Sequence, residues 1–364
     1  MQAFNTLTRF TIVALAVSWA VFPISASAQD SINLQVDVAQ LSHTVRNGYY
    51  HITRAHTPAG IKADVLGPEP IMIEGEFGHL LPLASAIPSP PPPSFYPGDL
   101  RKLVSTAKTL GKAIFNPIYV NCPGGTCQGN PQAFLFDFAK STFIHIDDQY
   151  TGVVGSYARG TSVNVTAKLT GVDQCGIGGT NPCLVDGTIQ GLVNTVAATL
   201  GAGYGHLYEV FLPKNVDVCL TDSHGNITAC DSPDVARFDA LCAYHSSANQ
   251  SNGHLVYTVQ PFMSVGCNVA PPNVNGVLSD STDTFLAHEI FEAISDPDVP
   301  AGFVNLFSLN LFKLENADEC QAIVFNANFT AVLGQFAAPV ILNGHKYKSQ
   351  LNYSNKYKAC ASTP

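Results

Sequence analysis

The stretch Asp280–Pro297, DSTDTFLAHEIFEAISDP, decides how the rest of the chain is read. Asp280 or Ser281 suits a helix N-cap, Asp283 falls in the first turn where the helix dipole favours a carboxylate, and Pro297 blocks continuation. The stretch predicts a capped amphipathic helix of about four turns. It carries His288, Glu289 and Glu292 in the order H-E-x-x-E. Residues four apart share a helix face, so His288 and Glu292 are placed to hold one ion, with Glu289 in reach of a water beside it. This is the layout of the H-E-x-x-H metalloprotease helix with glutamate at the second histidine position.

A zinc site takes about four ligands, and a catalytic one leaves a position for water. With His288 and Glu292 as two ligands, the third is sought downstream, where LENADEC offers Glu315 and Asp318 ahead of Cys320. Helical spacing would put Glu315 and Asp318 on one face, one ligating and the other orienting His288. Glu315 is the first choice as ligand, and Glu289 is the general base. Two considerations weigh on the other side. A helix with one histidine and two glutamates is common, and two carboxylate ligands make a zinc-held water less acidic. A structural calcium site then competes with a catalytic zinc site.

Residues 1–28 read as a secretory signal peptide: Arg9, then an apolar run from Phe10 to Pro23, then Ala26-Ser27-Ala28 at the cleavage positions. No later apolar run is long enough to span a bilayer. The ten cysteines all fall after this leader, and an even number in an exported chain predicts disulfides. The simplest pairing is sequential: Cys122–Cys127, Cys175–Cys183, Cys219–Cys230, Cys242–Cys267 and Cys320–Cys360. Charged residues are 12% of the chain and hydrophobic ones 46%, which suits a large buried core. The net charge of -9 and the lack of a basic cluster exclude a nucleic-acid partner.

Along the chain, residues 29–87 hold scattered histidines, His43, His51, His56 and His79, without a sustained period, and read as a poorly packed N-terminal segment. Residues 88–98, PSPPPPSFYPG, read as an extended linker. The main domain, 99–364, should open with a helix from Asp99 to Ala113, since Leu100, Leu103, Val104, Ala107 and Leu110 keep helical spacing. Ile114–Val120 reads as a strand, near an edge or bulged because of Pro117. A helix from Pro131, a strand over Phe143–Tyr150, a strand over Ser162–Leu169 and a helix over Leu184–Leu200 follow. His145, Asp147 and Asp148 at the end of FIHIDDQY either bind a cation or face solvent. Strands are predicted over His206–Leu212 and Leu255–Phe262, separated by a loop containing CAYH, in which His245 packs or lines a cleft. The C-terminal third is strand-rich, with a turn at Asn343-Gly344. The predicted fold class is α+β with α/β-like layers. A mixed sheet is backed by helices in the manner of a metallopeptidase, with a disulfide-tied, strand-rich C-terminal part.

CAYH (Cys242–His245), HEIFEAISDP (His288–Pro297), ENADEC (Glu315–Cys320) and GHKYKSQLNYSNKYKAC (Gly344–Cys360) together resemble the secreted phosphate-induced, EXORDIUM-like proteins of plants and their bacterial relatives. The resemblance covers roughly residues 114–360. It implies an extracellular or cell-wall-associated protein, connected in plants with growth and nutrient responses, and carries no reaction with it. Two functions are therefore expected to compete. The first is a secreted zinc-dependent, peptidase-like hydrolase with Glu289 as base and His288, Glu292, Glu315 and Asp318 around the metal. The second is a non-catalytic protein acting on a peptide or on cell-wall or surface components, with a structural cation at the same residues. Export to the exterior, the periplasm or the cell wall fits both.

Overall fold

The computed structural model describes residues 31–41, 50–54, 99–122, 125–222, 225–235, 241–263, 267–269, 271–305, 315–321, 323–325, 331–333 and 337–364. The leader expected over 1–28, the proline run at 88–98 and His43, His56 and His79 lie outside them. The fold is α+β, a mixed sheet backed by helices. The sheet strands are β1 (Ser31–Asp37), β2 (Tyr50–Arg54), β3 (Lys112–Val120), β4 (Ser156–Arg159), β5 (Ser162–Lys168), β6 (His206–Phe211), β7 (Leu241–Gln250) and β8 (Gly253–Gln260). Their order is β1-β5-β3-β6-β8-β7-β2, with β4 also paired to β3. Neighbours run parallel except at β7, which is antiparallel to both β8 and β2. Two pieces of the segment 29–87, β1 and β2, thus form the outer strands of the sheet.

Three helices cover the sheet: α1 (Pro131–Lys140), α2 (Asp186–Leu200) and α3 (Val277–Ser295). Apolar residues at helical spacing on α2, Ile189, Leu192, Val193 and Val196, pack on Val163, Val165, Tyr208, Val210 and Tyr257. Asp186 in the first turn of α2 is buried and accepts hydrogen bonds from Tyr244 and Tyr257 at 2.7 and 2.8 Å. The other face of the sheet, with Phe115, Leu207, Phe211 and Val256, packs on α1 and α3. Beyond α3 comes a hairpin of Ala337–Leu342 and His345–Gln350, whose turn is Asn343-Gly344 with φ of 49° and 89°, as a two-residue type I′ turn requires. Helix α3 is therefore an inner layer, and every residue from Asp280 to Ser295 is buried.

Several sequence expectations need correction. Helix α3 is not amphipathic, and its N-cap is Gly276, four residues before Asp280. Asp280 instead accepts from the backbone N–H groups of Val274 and Asn275 at 2.6 and 2.9 Å, fixing the approach to the helix. The predicted helix over 99–113 is absent. Leu100–Lys102 pairs with Phe303–Asn305, and the N–H groups of Leu103, Val104 and Leu110 donate to Gly302, Ala301 and Ile294. Backbone bonds to the segment around the α3 C-terminus thus replace helical ones. Phe143–Asp147 is a 3₁₀ turn rather than a strand, since Phe143, Ile144 and Ile146 all point into the core and no partner strand claims them. The short apolar run carries no period that separates the two cases.

CAYH lies inside strand β7 and not in a loop. Strand β8, which precedes α3, lies in the interior of the sheet. Strand β3 is central, not an edge, despite Pro117. Its pairing with β4 ends at Phe115 and its pairing with β5 begins at Ile118, so on that side Pro117 falls between the two ladders. The five sequential disulfides form as expected. The strand-rich C-terminal part consists of separate two-stranded pairs, Ile323–Phe325 with Ala331–Leu333, the 337–350 hairpin, and Asn352–Ser354 with Ala359–Ala361.

Two stability outcomes follow from this architecture. The Cys320–Cys360 bond closes a sequence separation of 40, the longest of the five. Replacing both cysteines by serine should cost about 4 kcal/mol in chemical denaturation by the loop-entropy relation, and a loss below about 1 kcal/mol would show that other contacts already hold the C-terminus. Glu209, on central strand β6, is fully buried, and burial pushes its carboxyl well above the ordinary range. A group with a raised folded pKa holds its proton longer in the native state, so stability falls as pH rises from the unfolded value through the folded one. Each pH unit in that window costs about 1.4 kcal/mol. Glu209→Gln should therefore raise the melting temperature more at pH 8 than at pH 5, and an equal shift at both would contradict the assignment.

Candidate metal centre

Rotation of α3 about its axis sets which side chains meet. Phe291 sits edge-on against Phe138 and Phe143, with centroids 5.2 and 5.0 Å away. With Phe291 clamped there, His288 and Glu292 turn toward the 315–321 segment, and Glu289 turns toward β7. His288 Nε2 lies 3.0 Å from Glu292 Oε1 and 3.6 Å from Asp318 Oδ1. On the β7 side, His245 Nδ1 lies 3.1 Å from Glu289 Oε2 and 3.6 Å from Glu292 Oε2. Its other nitrogen is 3.7 Å from Glu315 Oε2 and 3.2 Å from the Asp296 carbonyl. His245, His288, Glu289 and Glu292 are fully buried, Glu315 nearly so, and the Asp318 side chain retains 11% exposure.

The sequence candidates His288, Glu289, Glu292, Glu315 and Asp318 thus come together in one cluster. Their arrangement differs in detail from expectation. Asp318, rather than Glu315, is the carboxylate beside His288, while Glu315 lies beside His245. The two do not share a helix face. Residues 315–317 form a turn leading into the short helix Asp318–Gln321, and Asp318 Oδ2 accepts from the Glu315 N–H at 3.2 Å. His245 also joins the cluster, though the sequence places it in a loop as a packing or cleft-lining residue. LCAYHSSANQ has no two-residue alternation to announce a strand, and it is pairing with β8 that carries His245 opposite Thr258 in the interior of the sheet.

The turn bearing Glu315 and Asp318 is fixed from three sides. Cys320 ties it to Cys360. The Asn316 side chain donates to the Phe291 carbonyl at 3.2 Å and to Asp147 Oδ1 at 2.9 Å, and Asn352 donates to the same Asp147 oxygen at 2.6 Å. The Asp318 N–H donates to Glu292 Oε1 at 3.2 Å. Asp147 is consequently a buried joint and not the solvent-facing or cation-binding residue suggested by FIHIDD, and burial raises its carboxyl well above the ordinary range. His145 pairs instead with Asp148, 3.1 Å away. Glu319 points away from the cluster to Asn305, 2.5 Å from its Oε1, and is likewise raised by burial.

The donor set fits a divalent cation. Ligand atoms around one tetrahedral ion with bonds of about 2.1 Å stand roughly 3.4 Å apart, and the separations of 3.0 to 3.7 Å bracket that value. Two groups of three, His288–Glu289–Glu292 and His245–Glu292–Glu315, have ligand atoms within 4.8 Å of one another. A third such group, Cys175–Cys183–Cys219, offers no thiolate because all three cysteines are in disulfides. Imidazole nitrogen with several carboxylate oxygens suits zinc, manganese or iron(II), and an ion of higher oxygen preference remains compatible.

No family profile, curated protein or solved structure matches the chain.

A buried, carboxylate-rich cluster is stabilised by any cation that the folded state alone holds. Chelation of the purified chain at neutral pH should lower its melting temperature, and excess zinc or manganese should restore it. At one hundred times the dissociation constant the gain is about 2.7 kcal/mol. Melting that responds to neither chelator nor metal would count against a cation at these residues.

Proposed function

We propose that this chain is a secreted metal-dependent hydrolase of the peptidase type. The observation that carries the reading is that donor atoms of His288, Glu289 and Glu292 lie within 4.8 Å of one another on one helix, with Asp318 Oδ1 3.6 Å from His288 Nε2. His288, Glu292 and Asp318 would hold the ion. When bound, a divalent cation supplies Lewis acidity, lowering the pKa of water toward neutrality and polarising an acyl oxygen. Glu289 is the general base that takes the proton of the attacking water. His245 Nδ1 lies 3.1 Å from Glu289 Oε2. Export is supported by the leader-like first 28 residues and by five disulfides, and among the described residues no helix is long and apolar enough to cross a membrane.

We also propose relationship to the EXORDIUM-like proteins. Its support is spatial. CAYH contributes His245, HEIFEAISDP contributes His288, Glu289 and Glu292, and ENADEC contributes Glu315 and Asp318, so three of the blocks behind the resemblance supply the cluster.

One observation favours the second reading, a structural cation in a non-catalytic extracellular or cell-wall-associated protein. The cluster is buried on all sides except at Asp318. Zinc content and hydrolysis of a general protein substrate separate the two. The hydrolase reading expects stoichiometric metal in the purified mature chain, and Glu289→Gln should keep that metal while losing at least about a hundredfold in rate, the scale of general base catalysis. Metal without hydrolysis in the unaltered chain would leave the structural reading standing.

A further inference from the structure

The two oxygens of Glu292 face different imidazoles. Oε1 lies 3.0 Å from His288 Nε2, and Oε2 lies 3.6 Å from His245 Nδ1. Asp318 Oδ1 lies 3.6 Å from His288 Nε2, and Glu315 Oε2 lies 3.7 Å from His245 Nε2, the ring nitrogen other than the one facing Glu292, with donor atoms of His245, Glu292 and Glu315 within 4.8 Å of one another. Glu289, 3.1 Å from His245 and grouped with His288 and Glu292, lies between the two halves. A carboxylate placed in this way, one oxygen toward each of two nitrogen-and-oxygen donor sets, is a bridge between two cation positions. Two-metal hydrolytic sites hold their ions about 3.5–4 Å apart.

We infer that the centre binds two divalent cations. One is held by His288, Glu292 and Asp318, and a second by His245, Glu315 and the other oxygen of Glu292. The inference rests on the reading of the cluster as a metal site and adds the second position. Glu289, Glu292, Glu315 and Asp318 bring four carboxyl groups into a buried volume, enough oxygen donors for two cations. One imidazole per ion with shared and terminal carboxylates suits manganese, iron(II) or zinc. Two ions would also serve hydrolysis better than one carboxylate-rich zinc, because the second cation offsets the loss of acidity that carboxylate ligands impose.

The test loads the intact mature chain with manganese after chelation and reads metal content and electron paramagnetic resonance. The expected result is about two manganese ions per chain with a spin-coupled signal. His245→Ala and His288→Ala should each fall to about one ion and give an uncoupled signal. One ion per chain with an uncoupled signal, unchanged by His245→Ala, would overturn the second position while leaving the hydrolase reading intact. No bound manganese, and no zinc on reloading, would overturn both. If His245→Ala does not fold, the content and coupling in the unaltered chain decide by themselves.

Discussion

The structure depends on how four carboxylates and two imidazoles are kept together in a dry interior. Leaving one buried charge without its partner costs about 3–5 kcal/mol, comparable with a large part of a domain's net stability. Helix α3 is buried from Asp280 to Ser295, so Glu289 and Glu292 have no route to bulk water along the helix surface. Such a helix is a poor choice for stability alone, since apolar residues of similar size would pack there at lower cost. A bound cation turns the same residues from a liability into a source of native-state stability, because the unfolded chain cannot assemble them.

The surrounding elements serve that arrangement. The sheet supplies His245 from an interior strand, held in register by β8 and β2. The aromatic clamp of Phe134, Phe138, Phe143 and Phe291 fixes the rotation of α3. The turn at 315–321 would otherwise be a loop, and Cys320–Cys360, Asn316 and Asp147 convert it into a fixed wall. Asp147 works as a hub in this joint by accepting from both Asn316 and Asn352, and burial pushes its carboxyl well above the ordinary range. The C-terminal hairpin then covers α3 from the far side, with Val340, Leu342 and Tyr347 in the same core as Leu286, Ile290 and Phe291.

Much of this was legible in the sequence where local chemistry and tertiary demand agree. The H-E-x-x-E helix, the helix opened by Pro131 and the Asn343-Gly344 turn follow from neighbours in the chain, and the disulfides follow from the simplest sequential pairing of the cysteines. The misreadings fall where distant backbone decides. The helical spacing from Leu100 to Leu110 is overridden because its N–H groups find carbonyls at Ile294, Ala301 and Gly302, nearly two hundred residues on. The partition of Glu315 and Asp318 between two imidazoles depends on His245, which sequence spacing cannot place beside residues 43 or more positions away. The all-round burial of α3 was hidden for a different reason. Its polar residues look solvent-facing in a helical projection, and only the coverage by both sheet and hairpin turns that face inward.

The central claim is that the two histidines and the carboxylates between them enclose metal. Crystals of the intact chain grown in manganese or zinc, with diffraction recorded on both sides of that metal's absorption edge, test it most directly. The account predicts anomalous density enclosed by His245, His288 and Glu292, with Glu315 and Asp318 at its two ends. Density confined to other parts of the molecule, with these side chains in contact only with one another, would contradict it.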